Sequence, residues 1–338
     1  MPPASLRRPL TVTAWLVVST LCALASPLVL ALGALAGALT RKPQPVILAR
    51  LLVVYFTREL GVLIGCGALW LLAGGGKRIE SPRSQQLHWR LLEWFVGGLA
   101  QAGRASLHID VADDSSPEAA AVLRSDGPVI ILSRHAGPGD TVFIVDQLFA
   151  HYRRRPSVVF KETLGIDPSV DLLAHRIPHA MLDTSDREQC EAEIKRVCSR
   201  LEARGALLLF PEGGNFTPER RRSALRRLRR KGRRRSAQKA EQMPHLLPPQ
   251  PTGALSALEA NPAADVVFAA HTGLGLAAYP RELWRHMPID RTLLTRMWLV
   301  NAQDVPRSTD EQIAWLYDWW KRIDEWIAAR TNKDELST

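Results

Sequence analysis

ILSRHAGPGD, residues 131–140, carries an aliphatic run into Arg134 and His135, turns on Gly137, Pro138 and Gly139, and reaches Asp140. A continuous apolar run ending in titratable groups reads as a buried strand with chemistry at its C-terminal tip, where open α/β sheets place their sites. Glycines let the chain fold back so that the carboxylate reaches the imidazole, and DTVFIVDQLF then opens an apolar helix. Asp140 has two readings here: a cap for free N–H groups at a helix start, or an anionic partner that holds a basic His135 in one tautomer.

The same grammar recurs at LLLFPEGGNFTPER from Leu207, where a second buried strand ends in Pro211, Glu212 and two glycines. Short apolar runs alternate with amphipathic stretches through the rest of the body, which predicts strands at 105–111, 128–133, 157–160, 206–210, 265–270 and 296–301. Helices are predicted at 83–101, 140–152, 186–204 and 308–330. In the third of these, Ile194, Val197, Cys198 and Leu201 share a face and Gly205 is the expected stop. Trp315, Trp319, Trp320 and Trp326 recur at helical spacing, a core-packing pattern. The fold class is therefore α/β: a mixed sheet flanked by helices, with the active site at the strand C-terminal ends and an N-terminal apolar membrane helical hairpin in front. Residues 1–78 form the anchor and 79–338 the catalytic domain.

Leu10 to Thr40 holds no charged residue in 31 positions, longer than the roughly 20 apolar residues that span a hydrocarbon core. It also outlasts the apolar region of a cleaved secretory signal, about 7 to 15 residues, so a retained anchor is expected. A second apolar stretch from Val46 to Gly76 is interrupted by Arg50, Arg58 and Glu59. Pro27 and these charges suit a hairpin dipping into one leaflet, or two tilted spans with Arg58 and Glu59 paired. The four cysteines, at 22, 66, 190 and 198, have no metal or redox spacing, which fits free thiols in a reducing compartment; the catalytic domain is expected on the cytoplasmic face of a membrane.

Of the net charge of +10, residues 220–235 (RRRSALRRLRRKGRRR) contribute eleven Arg or Lys and no acid, leaving −1 for the rest of the chain. That single patch calls for an anionic partner, and a bilayer with anionic lipids is the expected one. No specific nucleic acid is expected, because the tract lacks the interleaved aromatics of a single-strand platform. His108 and Asp113 repeat the spacing of His135 and Asp140, but the alternation of Leu107, Ile109 and Val111 puts His108 mid-strand on a solvated face. His175 and His179 stand four apart with Pro178 breaking any helix between them, and no metal is expected.

Together, RHAGPGD and FPEGGNFT, some seventy residues apart behind an apolar N-terminus, resemble the membrane-bound glycerophospholipid acyltransferase superfamily, which includes the 1-acylglycerol-3-phosphate acyltransferases. The order of FPEG, x-x-x-T, a basic helix and HLLPPQPTG (245–253) is most similar to the lysocardiolipin-type branch. VVFKETLGIDPSVDLL adds Lys161, Leu164 and Pro168, and the similarity covers roughly residues 80 to 330. The resemblance implies transfer of a fatty acyl group from acyl-CoA or acyl carrier protein to the hydroxyl of a lysophospholipid, with no further cofactor. His135 and Asp140 would be the catalytic pair. Glu212, Gly213, Gly214, Asn215, Thr217, Lys161, Arg187 and Arg220 are the candidate substrate-binding residues, and backbone N–H groups near the glycine turn are candidates to stabilise the oxyanion.

Two departures bear on the acceptor. Relatives acting on lysophosphatidate carry Thr-Arg after the Glu-Gly pair, where this chain has Gly214 and Asn215. A second family arginine falls on Thr184, with Arg187 close by. Both remove bidentate phosphate partners, which favours a bulkier lysophospholipid or glycolipid and leaves Arg220, Arg221 and Arg222 to supply the charge. Two other readings stay open at this point: a membrane-tethered nucleic-acid-binding protein acting through the arginine tract, and an inactive lipid-binding scaffold of the same fold.

Overall fold

The computed structural model describes residues 4–137, 139–272 and 280–336; Pro138 of the glycine turn lies outside the described residues. Seven strands form one sheet: β1 Ile109–Asp113, β2 Val129–Ser133, β3 Arg155–Lys161, β4 Ala180–Leu182, β5 Gly205–Leu209, β6 Asp265–His271 and β7 Arg291–Val300. Their order is β1-β7-β6-β2-β5-β3-β4. Strands β2 to β6 run parallel, β7 is antiparallel to β6, and β1 is parallel to β7, so the sheet is mixed. One edge therefore collects the C-terminal tips of β6, β2, β5, β3 and β4 in that order.

The helices are α1 Ala4–Leu24, α2 Ser26–Thr40, α3 Gln44–Leu72, α4 Pro82–Leu107, α5 Pro117–Arg124, α6 Asp140–Ala150, α7 Pro168–Ala174, α8 Arg187–Cys198, α9 Pro218–Arg230, α10 Arg234–Glu241, α11 Pro251–Ala260, α12 Pro280–Arg285 and α13 Thr309–Leu336. Proline at the first helical position starts several of them behind a side-chain cap: Ser81 for α4, Ser116 for α5, Asp167 for α7 and Thr217 for α9.

Strand alternation splits the core into two layers. Ile130, Leu132, Leu207, Leu209, Val266 and Phe268 face α8, α11 and α13, where Trp320 is fully buried and Trp319 stacks on Phe268 at 4.5 Å. Val129, Ile131, Ala206, Leu208, Val267 and Ala269 face α4, α5 and α6, with Val62 and Cys66 of α3 in the same cluster. Because every residue of β2 and β5 is buried, their sequences read as unbroken apolar runs.

Several boundaries differ from the sequence reading. The strand predicted at 105–111 begins only at Ile109, because α4 continues to Leu107 and His108 ends it in a left-handed conformation, φ 52°. His108 pairs with Asp290 at 2.7 Å in the open, and not with Asp113. The helix predicted to 204 ends at Cys198, and Arg204 takes the positive φ of 61° before Gly205 opens β5, so Gly205 is a strand residue and not a helix stop. β4, three residues long, was too short to stand out, and β7 starts five residues before its predicted position because Arg291 and Arg296 interrupt its apolar pattern.

At the N-terminus, α1 and α2 bend by 64° at Ala25, just before Pro27. No single described helix is long and apolar enough to cross a membrane, and this bent pair passes only when taken together. Leu10, Val17, Leu21, Leu24, Leu28, Leu32, Leu35 and Leu39 nonetheless lie exposed along it. Arg58 and Glu59 do not pair with each other. Arg58 lies over the Trp94 ring at 4.2 Å and donates to the Trp94 carbonyl, while buried Glu59 accepts from the Ser169 backbone N–H. The N-terminus of α1 is clamped to the body: Arg7 and Arg8 each reach one oxygen of buried Asp171 on α7 at 2.7 Å.

Candidate active site

β2 ends at Ser133, and Arg134 continues its pairing by donating its backbone N–H to the Ala269 carbonyl of β6. His135 then stands at the tip of the central strand, where the chain leaves the sheet. Its Nδ1 is 3.3 Å from Asp140 Oδ2, its ring packs on Phe210 at 4.5 Å, and its side chain is 17% exposed. Asp140 is fully buried. The capping reading of Asp140 fails, since its Oδ2 accepts from the backbone N–H groups of Ala136 and Gly137, before the helix and not within its first turn. Those two N–H groups are thereby committed to Asp140 and are not oxyanion donors. Burial works to raise the Asp140 pKa, but the charge of His271, contacts from both imidazoles and the Gly137 N–H outweigh it and hold the carboxyl well below the usual aspartate range.

Glu212 sits at the neighbouring tip, after β5. Its Oε1 accepts from His135 N–H at 2.8 Å and its Oε2 from Leu247 N–H at 2.9 Å, and the side chain is buried. Each oxygen thus holds a backbone donor, and Glu212 ties three loops together. Burial pushes its carboxyl up to about 7, against the pull of Arg134 and of these two backbone donors. Gly213 adopts φ 70°, and a Cβ there would meet Gln250 Nε2 at 2.3 Å, so the residue serves the turn. Thr217 accepts from the Arg220 backbone N–H as the cap of α9. The intervening loop closes over the histidine, with Phe216 N–H donating to the His135 carbonyl at 2.8 Å.

Of the arginines expected to supply charge, only Arg220 leans over the motif loop: its guanidinium donates to the Asn215 carbonyl, and a Cβ on Gly214 would come within 3.0 Å of it. Arg221 is spent on the carbonyls of Met243, Ala240 and Glu241, and Arg222 pairs with Glu219. Lys161 and Arg187 belong to the same sheet edge but not to the dyad. Strands are about 4.8 Å apart, so the β3 tip carrying exposed Lys161 lies about 10 Å from the β2 tip, and the β4 tip before Arg187 about 14 Å. Arg187 is exposed and pairs with Glu191. His175 contacts Asp171, and buried His179 accepts from Val158 N–H, which removes both from any joint role.

Two further groups stand at this centre, Arg134, noted at the strand tip but given no role from the sequence, and His271, which the sequence reading did not single out. Arg134, 6% exposed, donates to the His271 carbonyl and is surrounded by Glu212, Asp140 and Asp324; burial lowers its pKa and the three carboxylates oppose that. His271 closes β6 and places its Nε2 3.2 Å from Asp140 Oδ2. The signal was present in DVVFAAH, an apolar strand ending in a histidine as VIILSRH nearly does, but the predicted strand stopped at residue 270.

Two cavities of about 590 Å³ lie elsewhere. One is lined by Asp126, Arg153, Arg155, Glu202 and Arg204 at the start of β3 and β5, the other by residues flanking the start of β6 and the end of β7, so both occupy the opposite edge of the sheet. No curated protein and no solved structure matches the chain. Residues 114–250, the segment holding both His135 with Asp140 and the Glu212 loop, match the family model described as Acyltransferase, which supports a general acyltransferase activity for this domain.

Proposed function

We propose that this protein is a membrane-associated acyltransferase that moves a fatty acyl group from a thioester, acyl-CoA or acyl carrier protein, to the hydroxyl of a lysolipid. The observation that carries the reading is the 3.3 Å approach of His135 Nδ1 to buried Asp140 at the tip of β2. With Nδ1 turned to the carboxylate, Nε2 is the ring atom left to accept the proton of an incoming alcohol. As that proton leaves, the alcohol oxygen bonds to the thioester carbonyl carbon and the C–S bond breaks. His135 then returns the proton to the departing thiolate. Asp140 steadies the imidazolium in between, which is why its ionised state matters.

The apolar rows of α1 and α2 support attachment to a bilayer, and the exposed arginines of α9 and α10 support attraction to an anionic one. The catalytic domain then faces the cytoplasm. The acceptor is a lysophospholipid or glycolipid larger than a simple phosphomonoester, because Gly214 and Asn215 offer no bidentate partner and Arg220 alone stands over the loop.

The test uses the full chain on vesicles containing anionic lipid, with an acyl thioester and a panel of lysolipids, and follows free thiol together with the acylated product. Wild type releases thiol with at least one acceptor, and His135→Ala lowers turnover by about 10²–10⁴-fold while staying folded and membrane-bound. Unchanged turnover in His135→Ala removes the imidazole from the mechanism. Absence of thiol release by wild type across the panel contradicts the acyltransferase reading.

A further inference from the structure

Asp140 is approached from two sides. His135 reaches its Oδ2 from the β2 tip and His271 reaches the same atom from the β6 tip, at 3.3 Å and 3.2 Å. These strands are direct neighbours in parallel register, Ser133 opposite Ala269, so the second imidazole is a product of the sheet itself. His271 is 1% exposed, and neither ring nitrogen has an aligned hydrogen bond among the described residues. Its one close polar contact among the described residues is the Asp140 carboxylate, 3.2 Å from Nε2. Its backbone is fixed as well, since Arg134 donates to the His271 carbonyl. The residue lies outside the segment that matches the family model.

We propose that His271 is a positioning residue for the transfer, sharing the Asp140 carboxylate with His135 and so limiting how much negative charge His135 meets. The proposal rests on the general-base reading of His135. A base is useful only in its unprotonated form, and a carboxylate held against an imidazole favours the protonated one. A second imidazole on the same oxygen offsets that pull whether it is cationic, repelling the His135 proton, or neutral, drawing on the carboxylate as an N–H donor. Both act in the same direction. The other charged groups around the pair are Arg134 beside His135, Glu212 against the His135 backbone, and Asp324 of α13, which faces Arg134 and accepts from the His245 N–H.

The experiment compares pH–rate profiles of the full chain. His271→Phe, which keeps a ring and loses the nitrogen, is expected to move the acid limb of kcat up by about one pH unit, to lose up to about tenfold on that limb, to recover at alkaline pH and to leave KM for the lysolipid unchanged. His271→Gln, whose amide nitrogen reaches the Nε2 position, returns the limb toward wild type. His271→Asn stops one bond short of Asp140 and shifts like the Phe variant, so the Gln and Asn pair decides the matter if the Phe variant does not fold. A limb that stays in place, or a loss equal at every pH, overturns the proposal. His135→Ala is run alongside: if it retains turnover, the general-base reading has failed, a result separate from any outcome at His271.

Discussion

Asp140 shows how one carboxylate can hold a site together. A buried aspartate is costly to ionise, yet two backbone N–H groups and two imidazoles converge on its Oδ2 and keep it charged. A folded-state pKa below the usual value near 3.8 means that Asp140 contributes stability above that pH and loses it as pH falls. Asp140→Asn is therefore expected to be clearly less stable than wild type at pH 7 in chemical denaturation, with the gap narrowing as pH drops through about 4. A gap that is constant with pH would mean that the carboxylate is not held ionised. The pairing itself was legible in the spacing of RHAGPGD, but the choice between cap and partner was not, because both put an aspartate at a helix start. Only the direction of Oδ2, back toward residues 136 and 137, separates them.

Among the elements, the tie made by Glu212 matters most. Through its two oxygens it joins the loop after β2, the turn after β5 and the segment at Leu247, while Gln250 returns to the same turn by donating to the Glu212 carbonyl and, from its backbone, to Pro211. Glu212→Ala strands two buried N–H groups, for an expected loss of about 2–4 kcal/mol in denaturant unfolding. A loss under about 1 kcal/mol would show that the loops are held without it. The sequence located this turn correctly at a strand tip but gave no sign that its carboxylate is held by backbone atoms more than thirty residues away in either direction. Backbone donors leave no trace in residue identity. The same limit hid His271: its role depends on β6 lying beside β2, a pairing that no local pattern encodes.

Across the whole molecule, charge and apolar surface are segregated. Exposed leucines gather on α1 and α2, the arginines on α9 and α10 directly after the motif loop, and Arg7 with Arg8 fastens the apolar helices to α7 beside the β3 tip. Layering followed from the alternation of buried runs with amphipathic stretches, so the α/β class was readable; which strands are reversed, β1 and β7, and the short β4 were not, since strand sense and three-residue edges carry little pattern. Everything at this level depends on the imidazole and carboxylate at the β2 tip acting together on an acyl thioester. The pH dependence of acyl transfer in wild type and in Asp140→Asn tests that pairing. Loss of the anionic partner should lower kcat by about 10²–10⁴-fold and move the acid limb to lower pH. A variant with the wild-type rate and an unmoved limb would contradict it.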